Sequence, residues 1–239
     1  DDVLEIPAVV RHEGRSYRVK EIEKYAFTTC CAIKHLKIGE GIEVISDYAF
    51  QACANLESVS IPSSIRVVGA APFQYCTSLT TIVVDKTNPI FDSREGSNAI
   101  IMTQDNSLIV GCGATKIPSS IRCIDKYAFM GCMAEELVIP DGVEKIKFFA
   151  FSSCLNLKKI VIPASVESIE EHAFYNCPEV ISIVVDKNNT DYDSRNGCNA
   201  IIYTSDSKLI LGCSTTIIPQ DIEIIGEFAF KNSRNLQRI

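Results

Sequence analysis

Three constellations in the chain have residue types and spacings that could do chemistry. Eleven cysteines and three histidines are present, and Cys30-Cys31-x-x-x-His35 has the superficial spacing of a metal-ligand set. Asp85, Asn88 and Asp92, with the matching Asp186, Asn189 and Asp193, offer oxygen ligands to a cation such as calcium. Glu135-Glu136 and Glu170-Glu171 offer paired carboxylates of the kind acid–base and glycoside chemistry uses. Each weakens on inspection. The acidic spacing follows no known calcium loop, whereas Asp and Asn close turns by bonding their own backbone; turn closure is the favoured reading and calcium the alternative. The carboxylate pairs fall at variable positions and read as solvated surface. There is no Gly-x-Ser-x-Gly elbow, and Gly111-Cys112-Gly113 lacks the rest of a phosphate loop. No catalytic residue, metal or cofactor is expected.

The elements that must position these residues explain them better. Ala-Phe-x-x-Cys recurs at Phe27…Cys30, Phe50…Cys53, Phe129…Cys132, Phe151…Cys154 and Phe174…Cys177, with variants at Pro72-Phe73…Cys76 and Ala229-Phe230…Ser233. Contiguous units are spaced by 23 residues, as from Phe27 to Phe50 to Phe73. A period of this length means stacked structural turns rather than one globular core. Each Cys is usually followed by a run such as Leu56-x-x-Val59-x-Ile61-Pro62. Val59 and Ile61, two apart, share one face of a short strand, and Pro62, with no N–H, ends it. Six cysteines hold one repeat position, so they read as small buried hydrophobes with reduced thiols. Cys30-Cys31 and Cys198 are the expected reactive exceptions. Cys30 would lie on the core ladder and His35 on a strand facing the other way, which argues against zinc.

A longer period overlies the first. Val83-Val84-Asp85-x-x-Asn88, Asp92-Ser93-Arg94, Asn98-Ala99-Ile100-Ile101 and Gly111-Cys112 all recur 101 residues later. A cassette of units was thus duplicated whole, which an open-ended stack tolerates. Arg94 and Arg195 are expected to pin the long loops through a carboxylate or carbonyls.

The pattern Ile-x-x-x-Ala-Phe-x-x-Cys-x-x-Leu-x-x-Ile-x-Ile-Pro, with its long variant Asp-Ser-Arg-x-Gly-x-Asn-Ala-Ile-Ile, resembles the BspA-like, or Treponema-type, leucine-rich repeat family over residues 19–239. Departures are small. Gly39 replaces the first strand-ending Pro, Pro72 replaces Ala, and one unit is a residue short between Cys132 and Pro140. The resemblance implies an exported or surface-attached, adhesin-like bacterial protein, with related proteins in some mucosal protists.

The expected fold is a repeat solenoid. It is a curved rod of about nine rungs, on the order of 45 Å long, with a parallel sheet on one face and short helical or irregular segments on the other. The Phe and Cys ladders would fill one continuous core. Residues 1–18 form an N-terminal capping hairpin, and residues 19–239 the solenoid, with long rungs near 88–120 and 189–221. The chain stops in apparent mid-strand at Leu236–Ile239, so it is expected to continue in the native protein or to have been trimmed. No signal peptide is visible; an upstream leader is expected to have been removed. The net charge of −7, with scattered Lys and Arg, argues against nucleic acid, and no 18-residue apolar run argues for membrane insertion.

A rod offers surface rather than a lone cleft. The outward strand positions should be His35 and Lys37, Ser58 and Ser60, Thr81 and Val83, Ala114 and Lys116, Lys159 and Val161, Ser182 and Val184, and Thr215 and Ile217. That face of Ser, Thr, Val and Lys is the candidate binding site for extracellular or host proteins such as matrix components or mucins. The alternative is a structural spacer or stalk displaying another domain. Solvated sheet surface with no partner is the competing account of any single position.

Overall fold

The computed structural model describes residues 2–233. The expected mid-strand stop at Leu236–Ile239 lies outside them. The chain winds as a β-solenoid. Strands Val3–Ile6, His35–Ile38, Ser58–Ile61 and Thr81–Val84 form one parallel sheet in which Val3, His35, Ser58 and Thr81 are in register. The second and fourth residue of each repeat strand, such as Val59 and Ile61, are buried while the third is exposed, as a pleat with one apolar face requires. The same arrangement resumes at Lys159–Ile162 and Ser182–Val185.

The opposite side of the rod is more regular than irregular segments. A second parallel ladder of two-residue strands runs through Glu21–Ile22, Val44–Ile45 and Val67–Val68. It reappears at Cys123–Ile124, Lys145–Ile146 and Ser168–Ile169. No α-helix occurs among the described residues; two 3-10 turns, Arg94–Gly96 and Arg195–Gly197, are the nearest equivalents.

The Phe segments are turns with an unusual backbone. Residues two before and two after each Phe take positive φ: Tyr25 and Thr29, Tyr48 and Ala52, Ala71 and Tyr75, Phe149 and Ser153, all between 46° and 61°. Such residues cost about 1 kcal/mol or more each. They are held because the turn's N–H groups bond the next turn, as in Phe27 N–H to Ala49 O (2.8 Å) and Thr29 N–H to Gln51 O (2.8 Å). Each Phe ring then lies on its neighbour. Phe27–Phe50, Phe129–Phe151 and Phe151–Phe174 stack at centroid distances of 5.1, 5.1 and 5.0 Å, within 7° of parallel. Four of the six ladder thiols, those of Cys53, Cys76, Cys154 and Cys177, serve as donors to a Phe carbonyl of a neighbouring turn. Cys53 Sγ donates to Phe27 O (3.1 Å), Cys76 to Phe50 O (3.2 Å) and Cys154 to Phe129 O (3.3 Å). The Cys position thus needs a small apolar group that can also satisfy a carbonyl.

Seven turns are of this regular kind. The two long units counted within about nine rungs are instead antiparallel meanders. Phe91–Asp92, Ile100–Met102 and Ser107–Val110 form the first, and Tyr192–Asp193, Ala200–Tyr203 and Lys208–Gly212 the second. A meander presents both faces of one strand along the rod axis, and this divides the interior. Ile100 joins the N-terminal core and Ile101 the middle one; Ile201 belongs to the middle core, Ala200 and Ile202 to a C-terminal one. The core is therefore segmented, not continuous. Gly111 and Gly212 make the junctions. Their N–H groups bond Ala128 O and Ala229 O just as a ladder Phe would. A Cβ on either would sit 2.1 Å from the Phe129 ring or 2.3 Å from the Phe230 ring, so only glycine lets the next ring close over the meander.

At the N-terminus, Val9–His12 and Arg15–Arg18 form an antiparallel hairpin across Glu13-Gly14, with all eight strand residues exposed. Val3–Ile6 lies beside the first repeat strand as an added member of its sheet.

Candidate functional site

The outward sheet residues fall into two patches. In the first, His35, Ser58 and Thr81 form one row and Lys37, Ser60 and Val83 the next. His35 is half-buried, with Nδ1 2.9 Å from Ser58 Oγ, which fixes the ring along the row. In the second, Lys159 pairs with Ser182 and Val161 with Val184.

Lys116 does not join them as a strand residue. No strand forms at Ala114–Lys116, because the meander uses the backbone there. Thr115 Oγ1 accepts the Cys112 N–H (2.8 Å) and donates to Asn98 O (2.7 Å), and Lys116 N–H bonds Ser97 O. Lys116 is exposed but lies in the gap between the patches.

Two residues of the face went unread in the sequence. Glu136 bridges to Lys159, which places Val138 beside Val161. The short unit between Cys132 and Pro140 hides them from a count forward along the period. Counting back from the proline finds them, since Val138 precedes Pro140 as Val161 precedes Pro163. With Val138 included, the face changes character along its length. The first patch's row runs Glu5, Lys37, Ser60 and Val83, and the second's Val138, Val161 and Val184. Ile217, like Lys116, lies where a meander uses the backbone, with no strand at Thr215–Ile217 and its N–H on Cys198 O. Val83 is 50% exposed, Val138 70% and Val184 45%. Exposed ion pairs such as Lys158–Glu135 (2.7 Å) flank the row and contribute little to stability.

The other constellations resolve structurally. Asn88 and Asn189 are buried, and each amide makes four bonds to backbone groups. Asp85 Oδ1 accepts from the Thr87 N–H and hydroxyl, which hold its carboxyl below the usual range. Arg94 grips Asp92 through Nε and Nη2 (2.9 and 2.6 Å), and Arg195 does the same to Asp193 while also reaching Asp221 (2.6 Å). These groups build the long loops. No three His, Cys, Asp or Glu side chains gather as a metal site among the described residues.

The cysteines need two corrections. Cys30 is half-buried, and burial together with the neighbouring Cys53 and Cys31 thiols pushes its thiol up, so it does not belong with the reactive ones. All eleven are thiols, but Cys198 is buried at 2% exposure and its pKa is pushed up by that burial, so it does not belong with the reactive ones. Burial likewise pushes Cys132 up to about 11 and Cys154 well above its ordinary value. Cys31 is exposed. A thiol reagent at pH 8 is expected to label Cys31 in a fast phase and the ladder cysteines only on unfolding, because the thiolate is the nucleophile. A fast phase that survives Cys31→Ser would contradict this.

One expectation about the rod fails outright. A cleft of about 400 Å3 opens at the second meander, between the turns carrying His172 and Phe228. The available signal was the 101-residue offset read for its mismatches as well as its matches: Ala70-Ala71 in the first cassette becomes Glu171-His172 in the second.

Comparison with known proteins follows this geometry. Two solved structures share the fold. A leucine-rich repeat protein from Eubacterium ventriosum is 15% identical, with a TM-score of 0.53 over 77% of this chain and 60% of that one. A leucine rich cell surface protein from Faecalibacterium prausnitzii is 23% identical, with a TM-score of 0.52 over 90% of this chain and 55% of that one. The chain thus spans little more than half the length of each. No curated protein matches it. The BspA type leucine rich repeat region family matches residues 15–98, 111–204 and 210–239 in six copies. Nearly every turn described above lies within those copies, and the chain belongs to the BspA type leucine-rich repeat family.

Proposed function

We propose that this is a non-enzymatic, exported or cell-surface binding domain, adhesin-like in action, whose outward sheet face contacts extracellular or host proteins. One observation carries the reading: the exposed valines Val83, Val138 and Val184 on the two patches of the outward face. Exposed aliphatic side chains gathered on one face, rimmed by polar residues, are characteristic of protein contact rather than of scattered surface apolars. The family and the cell-surface description of the F. prausnitzii structure support the location. A face without Trp, spread over several turns, suits broad contact with an extended partner rather than one anchored hot spot.

The test is solid-phase binding to matrix proteins and mucins, comparing the native chain with a Val138→Glu, Val184→Glu variant whose fold is checked by circular dichroism. Both side chains are exposed, so the fold should persist. Saturable binding that weakens about tenfold or more in the variant is expected, the size of losing one good contact. Binding that is absent, or unchanged in the variant, would overturn the face and leave the spacer reading.

A further inference from the structure

The cleft at the second meander has walls unlike the rest of the rod. Along the Phe ladder the aromatic rings stack nearly parallel and bury one another. Here they meet at angles and leave faces open. His172 and Phe228 lie 5.2 Å apart at 59°, Tyr175 and Phe228 5.4 Å apart at 80°, and Tyr192 and Tyr203 5.4 Å apart at 47°. Tyr192 is buried and forms the floor, with its hydroxyl accepting the Ile169 N–H at 2.7 Å. Five carboxylates line the same space against a single lysine, Lys208. Two are partly committed: Glu170 accepts the Phe148 N–H and Asp206 the Lys208 N–H. Glu167, Glu171 and Glu227 have no cationic partner among the described residues.

The first cassette supplies an internal control. Subtracting 101 puts Arg66 at the place of Glu167, Gly69 and Ala70 at those of Glu170 and Glu171, and Lys126 at that of Glu227. Phe91 and Met102 stand for Tyr192 and Tyr203. The same backbone unit therefore exists with and without the acids. The second copy exchanges Arg66 and Lys126 for carboxylates and gains two more at Glu170 and Glu171, while Asp125 becomes Gly226 and Ser107 becomes Lys208, a net gain of three carboxylates and loss of one cation. Phe91 and Met102 give way to phenols, and Tyr127 to Phe228. Neither folding nor the meander requires that, since the first copy forms the same meander without it.

We propose that this cleft binds an organic cation, an alkylammonium group carried by a polyamine or by a lysine side chain. Aromatic faces attract a cation through the ring quadrupole, and surrounding carboxylates add attraction with no partner of their own to displace. The carboxylates do not converge as a metal site would. A volume of about 400 Å3 accommodates an alkylammonium chain and lies within the range of small-ligand sites. The charge excess selects a cation over a neutral sugar, for which aromatic walls alone would serve.

The test is calorimetric titration at low salt with spermidine, tetramethylammonium and a tetralysine peptide, and with a chitin oligosaccharide as the neutral comparison. The variants are Glu171→Gln with Glu227→Gln, Phe228→Ala, and a control pair Glu5→Gln with Glu57→Gln away from the cleft. All five residues are exposed, so their substitution should leave the fold intact. Saturable binding of a cationic probe is expected, weakened about tenfold by the cleft variants and unchanged by the control pair. Binding of tetralysine alone would assign the site to a protein lysine; binding of spermidine or tetramethylammonium would assign it to a free amine. The proposal is overturned if no cationic probe binds, if the control pair weakens binding as much as the cleft pair, or if only the oligosaccharide binds.

Discussion

Asn189→Ala is expected to lower the unfolding free energy by about 3 kcal/mol or more, although the residue touches no ligand and sits in a loop. Its side chain is 9% exposed and fully used. Nδ2 donates to Pro163 O and Val166 O, both at 2.9 Å, in the preceding turn. Oδ1 accepts the N–H groups of Asp191 (3.0 Å) and Tyr192 (2.8 Å) at the start of the meander. Alanine would strand four backbone groups, each costing about 1–3 kcal/mol where water cannot replace the partner. Some water will reach the loop, which keeps the total near the lower end of that sum. Asn189→Asp separates this account from a calcium loop. A carboxylate keeps the acceptor but loses both donors and faces two carbonyl oxygens, so it should be as damaging as alanine. In a calcium site the added charge would instead strengthen binding. Urea unfolding of both variants, with and without calcium, decides the matter; an Asp variant rescued by calcium would restore the metal reading. Asn88, with the same four bonds to Pro62, Ile65, Ile90 and Phe91, should behave alike.

The solenoid was legible because each turn repeats its buried residues. Phe27, Phe50 and Phe73 announce the period, and Val59 and Ile61 announce a strand. What escaped was whatever lacks a repeating signal of its own. The second ladder has two-residue strands, too short to show alternation, so Ile22 and Ile45 read only as spaced core residues. The left-handed positions two before each Phe carry Tyr, Ala, Phe and His, and of those two after only Gly131, Asn176 and Asn232 are Gly or Asn, so local chemistry gave little sign of them. Their conformation is imposed by bonds to the neighbouring turn. The meanders were visible as length but not as partitions, because the burial of Ile100 and Ile101 on opposite sides depends on what stacks above and below. On the candidate face, alternation follows the strands from His35 through Val83, whereas Lys116, Thr215 and Ile217 fall where the meanders take over the backbone and no strand forms. The cleft departs from the repeat, and a reading built on periodicity treats such departures as noise.

The segmented core makes Phe151→Ala the most informative core substitution, with an expected cost of about 3–5 kcal/mol. Phe151 is 1% exposed and lies between two rings, Phe129 at 5.1 Å and Phe174 at 5.0 Å. Its carbonyl accepts from Cys177 Sγ and its N–H bonds Ala173 O at 2.7 Å. The adjacent turns are pinned by the sheets on either side, so they cannot close over a missing ring, and the cavity persists. Phe27→Ala removes a half-buried ring with one stacking neighbour and should cost about 1–2 kcal/mol, roughly the transfer energy of the lost surface. The location of the damage matters more than its size. In a repeat array, stability is a sum of local and neighbour terms. The meander at Phe91–Val110 divides the N-terminal core from the middle one at Gly111, where a ring rests on backbone instead of on another ring. That junction transmits less than the stack it interrupts. Hydrogen exchange in the Phe151→Ala variant should therefore accelerate across Ile121–Val185 and much less across Leu36–Val84. Uniform acceleration along the whole rod would show that the meanders couple the segments and that the solenoid unfolds as one unit.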